Sequence, residues 1–241
     1  MQYIKGLDAF DGRNHTAVTL GKFDGLHRGH QKLLNRIMKY AQKEDCDSVV
    51  CAFDMDRDCL MTNEERRAFL EDKVDYLIEI PFTREMMEME AEKFIDEILH
   101  KKLHASHIVV GTDFNFGHEK RGNHQMLEKY AAKYGYTVDV VEKAYYKDRE
   151  ISSTYIRELL LDGNVPLANE LLGYPYEITS VVEHGQQLGR TLGFPTMNLA
   201  PQEKKILPKY GVYACRVLVD GVWYGGVGNA GVKPTVAQEK R

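Results

Sequence analysis

Short apolar runs recur along the first two-thirds of the chain, at HTAVTLG (15–21), DSVVCAF (47–53), VDYLIEI (74–80), SHIVVG (106–111) and YTVDVVE (136–142). Each has the length and bounding residues of a buried strand. Between them the apolar positions fall at helical spacing. In RGHQKLLNRIMKYAQKE (28–44), Leu33, Leu34, Ile37, Met38 and Ala41 share one face. TNEERRAFLEDK (62–73) opens with Thr62 and places Glu65 three residues on, a capping-box pattern. AEKFIDEILHKK (91–102) is helical, and NHQMLEKYAAKYG (123–135) is a helix with Gly135 as its stop. Strands alternating with helices predict an α/β fold, an open parallel sheet covered on both faces.

The rhythm changes near Gly173. NVPLANELLG (164–173) is the last helix, with Asn164 as N-cap and Gly173 as stop. YEITSVVEHG (176–185) and GVYACRVLVDGVWYGGVG (211–228) then read as β structure, with Asp220-Gly221 as a hairpin turn. A boundary is expected at about residue 175, dividing the chain into 1–174 and 175–241. No internal repeat or low-complexity segment is present.

The 241 residues are 43% hydrophobic and 28% charged, ordinary for a globular chain, and no apolar run approaches a membrane span. The start, MQYIKGLDAFDGRNH, has no signal-peptide core. The formal net charge of -4 argues against general attraction to nucleic acid or anionic lipid. A polyanionic substrate would need a local positive site, with a metal ion as its natural companion. The four cysteines, Cys46, Cys51, Cys59 and Cys215, form no C-x-x-C pair, so reduced thiols in the cytoplasm are expected rather than zinc.

The chemistry concentrates where the first apolar run meets the first helix, in TLGKFDGLHRGHQKLL (19–34). A strand-to-helix turn at the carboxyl edge of a parallel sheet is a ligand site. Its glycines, Gly21, Gly25 and Gly29, let backbone approach a phosphate, and the free N–H groups of the helix start face the anion. His27 and His30 flank Gly29 and add imidazole N–H donors. Lys22, Phe23 and Asp24 complete the turn; Asp24 is open to either a turn-stabilising or a catalytic role. The stretch is neither the dinucleotide glycine pattern nor the phosphate-loop pattern.

This stretch resembles the H-x-G-H signature of the nucleotidylyltransferase superfamily, which moves a nucleotide monophosphate from a triphosphate without a covalent intermediate. The resemblance calls for a second motif, and ISSTYIRELL (151–160) answers it. Ser152, Ser153 and Thr154 supply hydroxyls at a helix start, and Arg157 can grip the outer phosphates. GRTLGFPTMNL (189–199) is nearly the flavokinase signature. Together with VVGTDFNFGHEKRGN, ISSTYIRELL and ANELLGYPY it makes the whole chain similar to the prokaryotic bifunctional riboflavin kinase/FMN adenylyltransferases.

That resemblance implies a Rossmann-like nucleotidylyltransferase domain with a parallel sheet, followed by a partial antiparallel β-barrel of the riboflavin kinase kind. It implies FAD and pyrophosphate from FMN and MgATP, with His27, His30 and Arg157 catalytic. Gly21, Lys22, Phe23, Asp24, Gly25, His27, Gly29, His30, Ser152, Ser153, Thr154 and Arg157 would bind ATP. Asp113, Phe114 and Phe116 would line the flavin site, although phenylalanines are more often core residues. For the kinase it implies Gly189, Gly193, Pro195, Thr196 and Asn198 around nucleotide and Mg²⁺, with Thr196 and Asn198 as metal ligands and riboflavin as substrate.

Two features depart from the family. The chain stops at NAGVKPTVAQEKR, partway through the kinase module, so an inactive, C-terminally truncated kinase half is expected. FDMDRDCL (53–60) replaces the family's Pro-His-Pro type turn. Asp54, Asp56, Asp58 and Glu65 mimic a calcium-loop spacing, but Cys59 occupies the turn-glycine position, so a solvated acidic loop is expected. His100, His104 and His107 are expected to be surface groups near a helix end, not a metal site. A nucleotidylyltransferase for another phosphate acceptor, and a non-catalytic flavin or nucleotide sensor, stand as alternatives. The oligomeric state is left open.

Overall fold

The structure is a computed structural model that describes residues 1–54, 58–184, 193 and 196–231. Its centre is a six-stranded parallel sheet of β1 (Gln2–Lys5), β2 (His15–Gly21), β3 (Cys46–Phe53), β4 (Tyr76–Ile80), β5 (Ala105–Gly111) and β8 (Thr137–Val141), in the spatial order β1-β4-β3-β2-β5-β8. Five strands follow the apolar runs closely. The sixth, β1, is an edge strand of four residues whose QYIK has too little alternation to stand out, and it pairs with β4 rather than its chain neighbour.

The chain winds from β2 through β3 to β4 on one side, then crosses over to lay β5 and β8 on the other. The winding reverses between β2 and β5. In open parallel sheets a crevice opens outside the carboxyl ends of the strands at such a point.

Side chains alternate between the two faces of each strand. Ala17, Val50, Ala52 and Val109 pack against Leu34 and Ile37 of α1 (Arg28–Lys43) and Leu70 of α2 (Asn63–Leu70). Val18, Val49, Cys51, Ile108 and Val110 pack on the opposite side. Their partners are Ile95 and Leu99, from the π-helical Phe94–Lys102 that continues α4 (Ala91–Lys93), and Leu127 of α5 (His124–Tyr134). Each fully buried Leu or Ile is worth about 1.5–3 kcal/mol, so these two layers hold the sheet's carboxyl edge rigid.

Helix ends follow the sequence signals. Asn123 accepts from Met126 N at 3.0 Å to start α5, and Gly135 (φ 74) ends it. α6 (Ser153–Asp162) and α7 (Val165–Leu172) end at Gly163 and Gly173, both left-handed. The capping box of α2 is complete, with Thr62 N donating to Glu65 Oε2 at 2.9 Å and Glu65 N to Thr62 Oγ1 at 3.2 Å.

Glu65 has a second use. Lys205 Nζ, itself buried, bonds Glu65 Oε2 at 2.6 Å and Leu60 O at 2.8 Å, and Thr179 N donates to Glu65 Oε1 at 3.0 Å. Ile206 joins Leu60, Ile151, Ile156, Leu160 and Leu171 in a third apolar cluster. The chain beyond residue 175 is therefore anchored back on the sheet region.

That later part carries two antiparallel pairs. Of the β expected over 176–185, the described residues form only β11 (Val182–Glu183), which pairs with β12 (Asn198–Leu199). β13 (Gly211–Val219) and β14 (Val222–Ala230) form a ribbon that turns at Asp220 (φ 48) and Gly221 (φ 79). Two successive positive φ values are what a two-residue hairpin turn requires.

Candidate functional site

The crevice at the switch point begins with the turn from β2 into α1. Phe23 (φ 47) and Leu26 (φ 38) hold left-handed backbone without being glycine, and both side chains are fully buried. Such strain persists where the surroundings dictate it. Between them Gly25 (φ 81) has no room for a side chain: a Cβ there would lie 2.9 Å from Leu60 Cδ1. Gly29 sits under the His27 ring, where a Cβ would approach to 3.0 Å.

His27 is the N-cap of α1, and its Nδ1 accepts from His30 N at 3.4 Å. An accepting Nδ1 puts the proton of a neutral ring on Nε2. The His27 and His30 rings stack, with centroids 3.7 Å apart and planes 20° apart, and Phe23 meets His30 edge-on at 5.3 Å. Burial pushes His27 down to about 4, and burial with the neighbouring His27 ring holds His30 well below the ordinary imidazole range. The pair is therefore neutral near pH 7 and offers N–H donors without net charge. His30 Nδ1 is buried and has no hydrogen-bond partner among the described residues.

The second helix start, that of α6, faces the same turn but is spent differently. Ser152 is the N-cap, accepting from Tyr155 N at 3.2 Å. Ser153 Oγ donates to Asp24 O at 2.8 Å, and Thr154 is exposed on the cleft wall. Arg157 Nη2 bonds Asp24 Oδ2 at 2.9 Å and Asp58 O at 3.2 Å, so its guanidinium lies outside the lining of the cleft. Asp24 is 3% exposed; its other oxygen accepts from Leu60 N at 2.7 Å. Asp24 thus ties the imidazole turn to α6 and to the 58–60 segment.

The cleft has a volume of about 1150 Å³, more than one small ligand needs. At one end lie Gly21, Lys22, Phe23, Asp24, His27, Gly29, His30 and Ser152–Thr154. Gly111 and Asp113 follow at the end of β5. The lining also carries an aromatic and apolar group. Phe116 is buried, Phe114 half-buried, and their rings stack 5.6 Å apart. Phe53, Phe82, Met86, Met87 and Phe94 complete that wall, with Phe53 and Phe82 edge-to-face at 5.9 Å. Phe82, Met86 and Met87 belong to no motif; PFTREMM places them just beyond the strand 76–80, Phe82 in the connecting loop and the two methionines in the short helix Arg84–Glu88.

The other expected site residues lie in the later part of the chain. Gly189, Pro195 and Asp56 fall outside the described residues. Gly193 (φ 78) and Thr196 are exposed, and Asn198 opens β12; none of the three lines the cleft. Asp54 lines the cleft and Asp58 O receives Arg157. Among the described residues no cluster of metal-binding side chains forms, and no helix is long and apolar enough to cross a membrane. His107 is largely buried, stacked on Tyr40 at 4.1 Å and bonded to Glu44 and Thr137, at the opposite edge of the sheet from the cleft.

Comparison with known proteins shows what the chain is similar to. Residues 10–155 match the family model described as FAD synthetase, and residues 172–241 the model described as riboflavin kinase. The bifunctional riboflavin kinase/FMN adenylyltransferase of Escherichia coli K12 is 36% identical over 232 residues, covering 91% of this chain and 74% of that protein. Its counterpart in Haemophilus influenzae is 36% identical over 98% of this chain and 80% of its own length. That of Buchnera aphidicola from Schizaphis graminum is 34% identical over the whole chain and 81% of its own. A crystal structure from Streptococcus pneumoniae, described as a macrolide-efflux protein, superposes with a TM-score of 0.85 at 30% identity over 95% of this chain and 78% of its own.

Proposed function

The chain belongs to the family of bifunctional riboflavin kinase/FMN adenylyltransferases, and from that premise we propose that the switch-point cleft is where AMP passes from ATP to FMN. Membership makes FAD synthesis and riboflavin phosphorylation its activities, with ATP, FMN and riboflavin as substrates. The assignment of residues is our reading. The observation that carries it is the stacked His27–His30 pair at the start of α1, lining a cleft that an aromatic group also lines.

In the transfer, an oxygen of the FMN phosphate attacks the α-phosphorus of ATP. The bond to the β-phosphate bridge oxygen breaks, and pyrophosphate leaves with the electron pair. The nucleophile is a phosphate, ionised near neutral pH, so the reaction needs no general base. Neutral imidazoles suit this chemistry: His27 and His30 donate N–H bonds to charge that grows on the transferring phosphate. The helix start adds backbone donors and its dipole. Asp24 keeps Ser153 and Arg157 beside the turn. Arg157 reaches the outer phosphates by leaving Asp24. Phe53, Phe82, Met86, Met87, Phe114 and Phe116 receive the flavin ring by stacking, with Asp113 at the rim.

The division into residues 1–174 for FMN adenylylation and 175–241 for the kinase is likewise proposed, supported by the family matches that end at 155 and resume at 172. Thr196 and Asn198, two residues apart, are the described residues that would hold Mg²⁺ in the kinase site. Both present neutral oxygens, the hard ligands Mg²⁺ accepts, and the ion when bound neutralises phosphate charge. A cytoplasmic setting is proposed from the four free cysteines. The net charge of -4 supports small-molecule rather than nucleic-acid partners.

The test is direct. With MgATP and FMN the protein forms FAD and pyrophosphate in equal amounts, and no nucleotide remains attached to it. Tight FMN binding with no turnover would overturn the reading in favour of a sensor.

A further inference from the structure

The proposed transfer brings several negative charges into one cleft, and the described cleft wall supplies few positive ones. The two imidazoles are neutral, and Arg157 is tied to Asp24 outside the lining. The cationic side chains that line the cleft are Lys22, Lys120 and Lys143. Lys22 and Lys120 are exposed, whereas the Lys143 side chain is 27% exposed and fixed at both ends.

Its backbone is held by Lys32 of α1, whose Nζ reaches Glu142 O at 3.2 Å and Lys143 O at 3.1 Å. Its Nζ bonds Glu150 Oε2 at 2.8 Å and Asp113 Oδ2 at 3.0 Å. Two of three N–H directions are thus taken by carboxylates of the cleft wall, which leaves a third for a ligand. The next residue, Ala144, accepts Ile151 N through its carbonyl at 2.8 Å. Ile151 O in turn lies 3.7 Å from where a Cβ on Gly29 would be, between the two imidazoles. The lysine therefore stands one residue from the backbone that closes against the imidazole turn.

We propose that Lys143 binds a phosphate group of a bound substrate, and that Asp113 and Glu150 hold it ready for that contact. This rests on the adenylyl-transfer reading of the cleft. The two carboxylates keep the ammonium charged and extended while the cleft is open, Glu150 contributing most to its raised pKa. Both carboxylates line the cleft with the lysine, so the arrangement places its charge at the cleft wall. When a phosphate arrives it takes the third N–H direction, while Glu150 and Asp113 keep the ammonium in place. The group bound belongs to either the nucleotide or the flavin; the chemistry is the same.

Steady-state FAD synthesis by the full chain, with ATP and FMN varied in turn, tests this for wild type, Lys143→Met, Lys143→Arg and Glu150→Gln. Lys143→Met raises the KM of one substrate about tenfold with kcat changed less than threefold, the mark of lost uniform binding. The substrate affected names the phosphate. Lys143→Arg restores KM to within about threefold, because a cation is kept. Glu150→Gln raises the same KM about threefold, because the ammonium keeps its charge but is held less firmly; a merely structural ion pair would shift the unfolding midpoint and leave both KM values in place. Equilibrium binding of ATP and of FMN to the same variants gives a readout independent of turnover. If wild type makes no FAD, the adenylyl reading fails and the binding arm still decides the role of Lys143. Both KM values and both dissociation constants unchanged within twofold in Lys143→Met would overturn the proposal.

Discussion

The starts of α1 and α6 read alike in the sequence, as two phosphate-type helix starts, and they are used in opposite ways. At α1 the cap is weak, a 3.4 Å contact to an imidazole, and the rings and backbone donors border the cleft. At α6 the cap is a serine hydroxyl, the next hydroxyl is bound to Asp24 O, and the arginine one turn in is bound to the Asp24 carboxylate. The first start presents its donors; the second spends them on holding the first in place. In the proposed reading the α1 start can serve a ligand because its donors border the cleft, whereas those of α6 are spent within the protein.

Breaking the α1 side has the largest effect. His30→Ala lowers the rate of FAD formation roughly 10²–10³-fold, the usual cost of one charge-stabilising donor, checked by initial rates at saturating substrate. A tenfold or smaller loss would leave His30 only a packing role against His27 and Phe23. Next comes the link between the two starts. Asp24→Ala removes one partner of a buried pair and strips Leu60 N of its acceptor, so denaturant unfolding should show a loss of about 3 kcal/mol or more.

The neutral state of the α1 pair has its own signature. An ordinary imidazole takes up a proton near 6.5, whereas folded His27 refuses it until about 4. The unfolded chain binds more protons in that window, so stability falls as pH is lowered from 6.5 toward 4. His27→Gln keeps an acceptor for His30 N and flattens that slope in urea midpoints measured across the window. The smallest effect belongs to the α6 cap: Ser152→Ala costs about 1 kcal/mol of stability.

Much of this was legible in advance. Five sheet strands, the α2 capping box and the glycine stops at Gly135 and Gly173 follow from local pattern, because periodicity and backbone conformation act within a few residues. The imidazole turn was legible for the same reason. Strand order was not, since β1 joins β4 across more than 70 residues of chain. Nor was the fate of Arg157, whose partner Asp24 lies 133 residues away and becomes its neighbour only when the sheet is wound. Lys143 belongs to no motif; its significance comes from Asp113 and Glu150 meeting it in space. The aromatic wall gathers Phe53, Phe82 and Phe116 from three separate crossings, which no spacing rule connects.

In the proposed transfer, neutral ring N–H groups of His27 and His30 face the transferring phosphate. Nitrogen-15 NMR of histidine-labelled protein at pH 7, with and without ATP, tests it most directly. The expected result is two neutral rings, His27 protonated on Nε2, with both sets of ring resonances moving on ATP addition while those of His100, His104 and His107 stay in place. Charged rings at pH 7, or rings indifferent to ATP, would contradict it.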